Sequence, residues 1–373
     1  MIVAAGSPAL QPAPAPGGED VMAEVNQERL DRFLGAMVAD MGAAMSAALV
    51  VVGDRLGLYK ALAKGPATSA ELAERTGTAE RYIREWLSAQ AAAGYVAYRP
   101  EDKRFALEPE QALVFADEDS PAFLAGFGDI VEAVFHDEPK VTAAFKSGHG
   151  VGWHERDRCL FCGTERFFRT SYKHHLVQEW LPALDGVVEK LERGAKVADV
   201  GCGHGISTLL MAQAFPASTF HGFDYHEGSI LEARKRAEAA GVAGNTRFET
   251  ASAKAFPGEG YDLICCFDCL HDMGDPAGAA RHIYEALAPD GTWMIVEPFA
   301  GDRLEDNLNP IGRVYYGAST MICTPASLSQ EVGLALGAQA GPARLSETIK
   351  AGGFTRVRIA AETPFNLILE ARR

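Results

Sequence analysis

The chain has 373 residues, 47% hydrophobic and 23% charged, a size and composition that suit two packed domains rather than one. Fifty acidic residues against 35 basic ones leave a net charge of −15, which opposes broad contact with nucleic acid, and no uninterrupted apolar run reaches the roughly 18 to 20 residues of a membrane span. Seven cysteines, an odd number and partly on apparent core strands (Cys202, Cys265, Cys266), argue against a disulfide framework and for a reducing cytoplasm.

Residues 1–20 are rich in Ala, Pro and Gly and lack the basic start of a signal peptide, so they read as a disordered leader, with Met22 as an alternative start. From about Glu28 to Leu62 apolar residues recur at helical spacing (Leu30, Phe33, Leu34, Met37, Met41, Met45, Leu49, Val52, Leu56), a stripe expected to make core or dimer contacts. Thr68-Ser-Ala-Glu71 is a capping-box start for a helix that stops near Gly77. A second helix after Thr78 carries Tyr82, Ile83, Trp86, Leu87 and Ala91 inward and stops at Gly94. Residues 95–98 and 104–107 then flank the polar turn 100–103 as a β-hairpin wing. Helix, helix and hairpin make a winged helix-turn-helix, assigned to 21–118. Its would-be recognition helix balances Arg81 and Arg84 against Glu80 and Glu85. Residues 119–185 are helical and aromatic, broken by the glycine-rich 148–152, and read as a linker or cap. From 186 to 373 short apolar strands alternate with helices: Val197–Val200, Thr219–Phe223, Thr246–Glu249, Tyr261–Phe267 and Thr292–Val296. That alternation predicts an α/β fold with a parallel sheet covered on both faces. The last two strands, 355–361 and 365–370, are too close together for a parallel crossover and must be antiparallel. A stretch of about 302–341 interrupts this domain.

The first of these strands runs into Asp199-Val-Gly-Cys-Gly-His-Gly205. Glycines at 201, 203 and 205 let the backbone turn tightly and approach a ligand at the strand's C-terminal edge. Asp224, ending the next strand, is placed to accept both hydroxyls of a ribose. A nicotinamide dinucleotide is the first rival, but Ile206 stands where its pattern wants a later glycine, and the antiparallel hairpin is foreign to a plain dinucleotide fold. Together these residues resemble the class I S-adenosylmethionine-dependent methyltransferases, with a Rossmann-like sheet and a reversed last strand. The resemblance implies that Asp199, Gly201, Gly203 and Gly205 serve the methionine portion, Asp224 the ribose, and Tyr225, Ser252 and Ala253 the adenine. It puts Asp268 at the methionine end or the acceptor. Many relatives carry Asp where this chain has Ser252, a weaker acceptor for the adenine amine.

Cys265-Cys-Phe-Asp-Cys-Leu-His271-Asp272 resembles the His-Asp-Trp segment of caffeate-type small-molecule O-methyltransferases, with Met273 in place of Trp. That likeness implies His271 as general base, an ordinary histidine being able to take a proton near pH 7, with Glu297 orienting it. The winged helix of that group makes a homodimer rather than reading DNA. The acceptor is expected to be a small hydrophobic or aromatic molecule, held by Trp153, Phe168, Tyr172 and His175 from the aromatic segment and by Arg313 and Tyr316 from the insertion. Two alternatives stand beside O-methylation: N- or C-methylation by proximity alone, and a transcription regulator that senses S-adenosylmethionine. Cys159-Leu-Phe-Cys162 near His154 is half of a zinc spacing, and no metal is expected.

Overall fold

A computed structural model describes residues 25–373, so the leader and Met22 lie outside the described residues. Helix α1 (Gln27–Arg55) carries the boundary between two compact units, which divide after Met45. An 18-residue stretch of it has mean hydropathy 1.8 and is 11% buried. By length and composition it is enough to cross a bilayer, which amends the expectation from uninterrupted runs.

The winged element follows as α2 (Leu58–Leu62), α3 (Ser69–Thr76), α4 (Glu80–Ala92), the hairpin β1 (Ala97–Arg99) and β2 (Arg104–Ala106), and α5 (Pro109–Phe115). Thr68 and Glu71 form the reciprocal capping box expected for α3, and Arg104 of the wing grips the Glu71 carboxylate at 2.6 and 2.7 Å. Leu72, Ile83, Trp86 and Leu87 bury together against Leu58, Tyr59 and Leu62, whereas Tyr82, expected inward, stands exposed on the outer face of α4.

Two long helices, α6 (Phe127–Ser147) and α7 (Arg158–Ser171), come next, and α7 continues as a π-helical segment, Tyr172–Trp180. Then come α8 (Val187–Arg193), β3 (Lys196–Val200), α9 (Ile206–Ala214), β4 (Thr219–Asp224), α10 (Glu227–Ala239), β5 (Thr246–Thr250), β6 (Tyr261–Phe267), α11 (Pro276–Ala286) and β7 (Leu287–Pro298). The insertion forms α12 (Pro310–Ala318), a π-helical turn Ser319–Cys323 and α13 (Thr324–Leu328), before α14 (Gly341–Ala351), β8 (Arg356–Glu362) and β9 (Asn366–Arg372) close the chain.

The seven strands stand in the order β5-β4-β3-β6-β7-β9-β8. The first five are parallel, whereas β9 runs antiparallel to both β7 and β8. This is the expected Rossmann-like sheet with a reversed last strand. Alternation along each strand fills two cores: Leu263, Cys265 and Phe267 of β6 face one side with Val197 and Ile368, while Ile264 and Cys266 face the other with Ala198, Val200 and Leu369. Chain order reverses direction at β3, where β4 lies on one flank and β6 on the other, so a crevice opens at their C-terminal ends.

Candidate active site

A cavity of about 330 Å³ fills that crevice. Its floor is the loop after β3. Gly203 sits at φ 52 with nothing within 4 Å of where a Cβ would stand, so its backbone faces open space. Gly205 answers a different need: at φ 82 its Cβ position lies 2.9 Å from the Phe248 ring, so it faces the core and is not on the cavity wall. Asp199 is also off the wall. It is buried, and its Oδ2 accepts from the Ser207 and Thr208 hydroxyls at 2.6 Å each, fastening the start of α9, while its Oδ1 has no partner among the described residues. Burial lifts its pKa to about 6 despite those two donors.

Asp224 does line the cavity. Its Oδ2 accepts the Gly203 N–H at 2.9 Å and its Oδ1 the His226 N–H at 2.8 Å, which fixes the carboxylate beside the glycine turn. Tyr225, Ser252 and Ala253 continue the same wall, and Gly201 completes the floor. Lys254, paired with Glu331 at 2.8 Å, also borders it.

Of the acceptor residues chosen from sequence, Trp153, Phe168 and Tyr172 line the cavity. The other three do not. His175 turns its Nδ1 to Glu179 at 2.8 Å and stacks on Trp180, so it serves the helix it belongs to. Arg313 and Tyr316 lie on α12 away from the wall, and the buried tyrosine of that helix is Tyr315, whose hydroxyl donates to the Phe365 carbonyl at 2.7 Å.

His271 is also off the wall, contrary to the sequence reading. It is 3% exposed, with Nδ1 2.5 Å from Glu297 Oε2 and Nε2 3.2 Å from Asp272 Oδ1. Burial pulls its pKa down, but the carboxylates on both sides outweigh burial and raise it well above 6.5. Its Nδ1 is engaged by Glu297, while the approach of Nε2 to Asp272 is an ion-pair distance rather than a hydrogen bond, Asp272 Oδ1 having no hydrogen-bond partner among the described residues. The Cys323 thiol lies against the same group, and His271, Asp272 and Cys323 bring ligand atoms within 4.8 Å of one another. Burial holds that thiol up at about 12, protonated, so it is no ready thiolate ligand. Cys159 and Cys162 share α7, one half-buried and the other exposed.

Several wall residues escaped the sequence reading. Phe161 stacks on His226 with ring centres 4.8 Å apart. Glu165 of α7 binds His204 of the glycine loop at 2.9 Å and pairs with Arg236 of α10, tying the cap to the floor. Position 204 inside the glycine motif was the one available signal. Asp268, which the sequence reading did name, follows β6 on the wall, where Oδ2 accepts the Tyr172 hydroxyl and Oδ1 the Asn366 amide, both at 2.8 Å.

Comparison with known proteins agrees with this anatomy. Residues 191–331 match a family described as a methyltransferase domain, and residues 44–116 match the Rv2258c-like winged HTH domain. A stretch of 100 residues is 36% identical to a ubiquinone biosynthesis O-methyltransferase of Pseudomonas aeruginosa, covering 26% of this chain and 42% of that protein. The chain thus spans less than half the length of the curated relatives it matches. Among solved structures, mitomycin 7-O-methyltransferase superposes with a TM-score of 0.67 at 19% identity, covering 93% of this chain and all of that one. Human N-acetylserotonin methyltransferase, solved with S-adenosylmethionine, also gives 0.67, at 17% identity over 94% and 99% of the two chains. At these identities the likeness establishes a shared fold: a seven-stranded Rossmann-like sheet with a reversed last strand behind a winged helix.

Proposed function

We propose that this chain, a methyltransferase domain behind a winged helix, moves the methyl group of S-adenosylmethionine to a hydroxyl on a small, flat, apolar acceptor. The observation that carries this reading is the cradle at the switch point: an open Gly203 backbone beside an Asp224 carboxylate fixed by two N–H groups. Asp199 behind the turn braces the start of α9 through Ser207 and Thr208 and so holds the glycine loop in the shape that receives the methionine portion. When bound, the cofactor supplies an electrophilic methyl on a cationic sulfur, with its leaving group already made.

The chain's own residues divide the remaining work. Gly201 and Gly203 give close approach, Asp224 accepts from the ribose hydroxyls, and Tyr225, Ser252 and Ala253 border the adenine. Trp153, Phe161, Phe168 and Tyr172 form an aromatic wall that excludes water and orients the acceptor. Such alignment supplies on the order of 7–11 kcal/mol of barrier lowering. A hydroxyl acceptor is favoured because the relative from Pseudomonas and the mitomycin enzyme are both named O-methyltransferases.

We also infer a homodimer formed through α1, because Phe33, Leu34, Met37, Val38, Met41 and Met45 all stand exposed along it. All seven cysteines are free thiols, which supports a reducing compartment.

Calorimetry on the purified protein tests the central reading: S-adenosylmethionine and S-adenosylhomocysteine should both bind. Heat from a nicotinamide nucleotide with none from either adenosyl ligand would overturn it. With methyl-labelled cofactor, a panel of phenols, amines and carbon acids should show label on the phenols first. Label only on amines or carbon acids would replace the hydroxyl.

A further inference from the structure

Asp268 is the carboxyl group of the cavity wall whose surroundings do not explain its charge. It stands in the left-handed region at φ 50, a conformation that Asp and Asn accept more readily than most side chains. Both of its oxygens are held by neutral donors, the Tyr172 phenol and the Asn366 amide. Among the described residues no lysine or arginine is paired with it. The other titratable groups around it are Glu297, His271, Tyr315 and the neighbouring Cys269 thiol. The imidazolium charge of His271 lies between Glu297 and Asp272. Asp224, by contrast, is fixed by backbone N–H groups at the ribose end, and Asp272 has His271.

Asp268 is half-buried at the cavity wall, and a carboxyl group enclosed there without a paired cation is biased toward its neutral form, against the pull of its two donors toward the charged one. Burial first, and Glu297 second, push its pKa up to about 8. Resting on the cofactor reading above, we infer that Asp268 is set by the charge at the cofactor's sulfur: a neutral carboxyl in the empty enzyme, a carboxylate beside a sulfonium, and then the base for the acceptor hydroxyl. On loading, Asp268 loses its proton to solvent and becomes the missing counter-charge. In the transfer, the acceptor O–H bond breaks and its proton goes to Asp268. The oxygen lone pair forms the new O–CH3 bond, and the electron pair of the broken C–S bond returns to sulfur. Sulfonium and carboxylate thereby become neutral thioether and neutral carboxyl, and no charge is stranded in the cavity. Tyr172 and Asn366 act as positioning residues that aim the carboxylate.

Titration calorimetry tests this without any acceptor, using the full chain near pH 7 in buffers of different ionisation enthalpy. S-adenosylmethionine and S-adenosylhomocysteine differ in charge at the sulfur. Binding of the first should release up to about one proton more per site than binding of the second. D268N, whose amide tolerates the same backbone, should bind both ligands with equal proton counts. Y172F removes a donor to the carboxylate and should move the pH range of the difference upward. Equal counts in the unaltered protein, or a difference that persists in D268N, would overturn the inference. If D268N does not fold, an unmoved pH range in Y172F does the same. Failure of both ligands to bind is a distinct result: it removes the cofactor reading on which the inference rests.

Discussion

The polar side chains at the switch point divide by what balances them. Asp224 is an acceptor fixed by two backbone N–H groups, so D224A should weaken S-adenosylhomocysteine binding by roughly ten- to a hundredfold, the weight of hydrogen bonds to a charged group. His271 belongs to a buried ion cluster, and H271Q strands Glu297 and Asp272 without their cation. Unfolding in denaturant should show a loss of about 3–5 kcal/mol, with affinity for S-adenosylhomocysteine little changed. The stability His271 provides is present below pH 6.5 and declines as pH rises through its raised folded value, so the deficit of H271Q should shrink on the alkaline side. Asp268 acts in the same direction with pH, although here it is the charged form that the fold disfavours. Its pKa rises from 3.8 to about 8 on folding, so the folded protein holds a proton that the unfolded chain releases, and stability falls with pH across that window. Thermal unfolding of the empty protein should show D268N gaining on the parent between about pH 4 and pH 8, by at most about 1.4 kcal/mol per pH unit. A constant gap would place Asp268 outside this account.

At the scale of elements, much of the architecture was legible because short-range rules decide it. The Thr68–Glu71 capping box, the glycine stops at 77 and 94, and the alternation in β6 each follow from local chemistry. The short span between β8 and β9 forced their antiparallel pairing, and the family resemblance implied a reversed last strand, whereas the place of β9 between β7 and β8 was not legible in the sequence. What escaped depends on contacts between distant segments. His271 was legible as a histidine after a strand, but its ring direction is set by Glu297 on the next strand. His175 and Tyr172 both lie on the π-helical segment, where the change in pitch puts only Tyr172 toward the cavity. The Glu165–His204–Arg236 tie joins residues up to 71 apart in sequence, and no spacing announces it. That tie makes the cap part of the site. E165A should therefore speed S-adenosylhomocysteine release several-fold in stopped-flow measurements while leaving β3 and α9 folded. An unchanged off-rate would show that α7 packs on the loop without restraining it.

The whole molecule offers two surfaces where a partner is in question. The recognition position of the winged element is occupied by α4, whose arginines are spent within the helix: Arg81 on Glu85 and Arg84 on Glu80. With a net charge of −15 this leaves little to displace counterions from DNA, and gel-shift measurements at low salt should detect no complex. Helix α1 carries the apolar surface. Replacing Met41 and Met45 with glutamate should halve the mass seen by light scattering if the chain pairs through α1. A parent protein that already runs as a monomer would remove the dimer, and flotation with liposomes would give the length and hydropathy of α1 a different meaning.

The placement of β9 has a consequence for how the protein is born. A ribosome delivers β8 before β9, yet β8 pairs with nothing else, so the rim strand emerges with no ladder to join. Until residues 366–372 arrive, the inner edge of β7 is also bare, and Asn366, which holds Asp268, is missing. The glycine cradle is thus made early while the amide that holds Asp268 is added late, and a nascent chain stalled before that point exposes a hydrophobic edge to its neighbours.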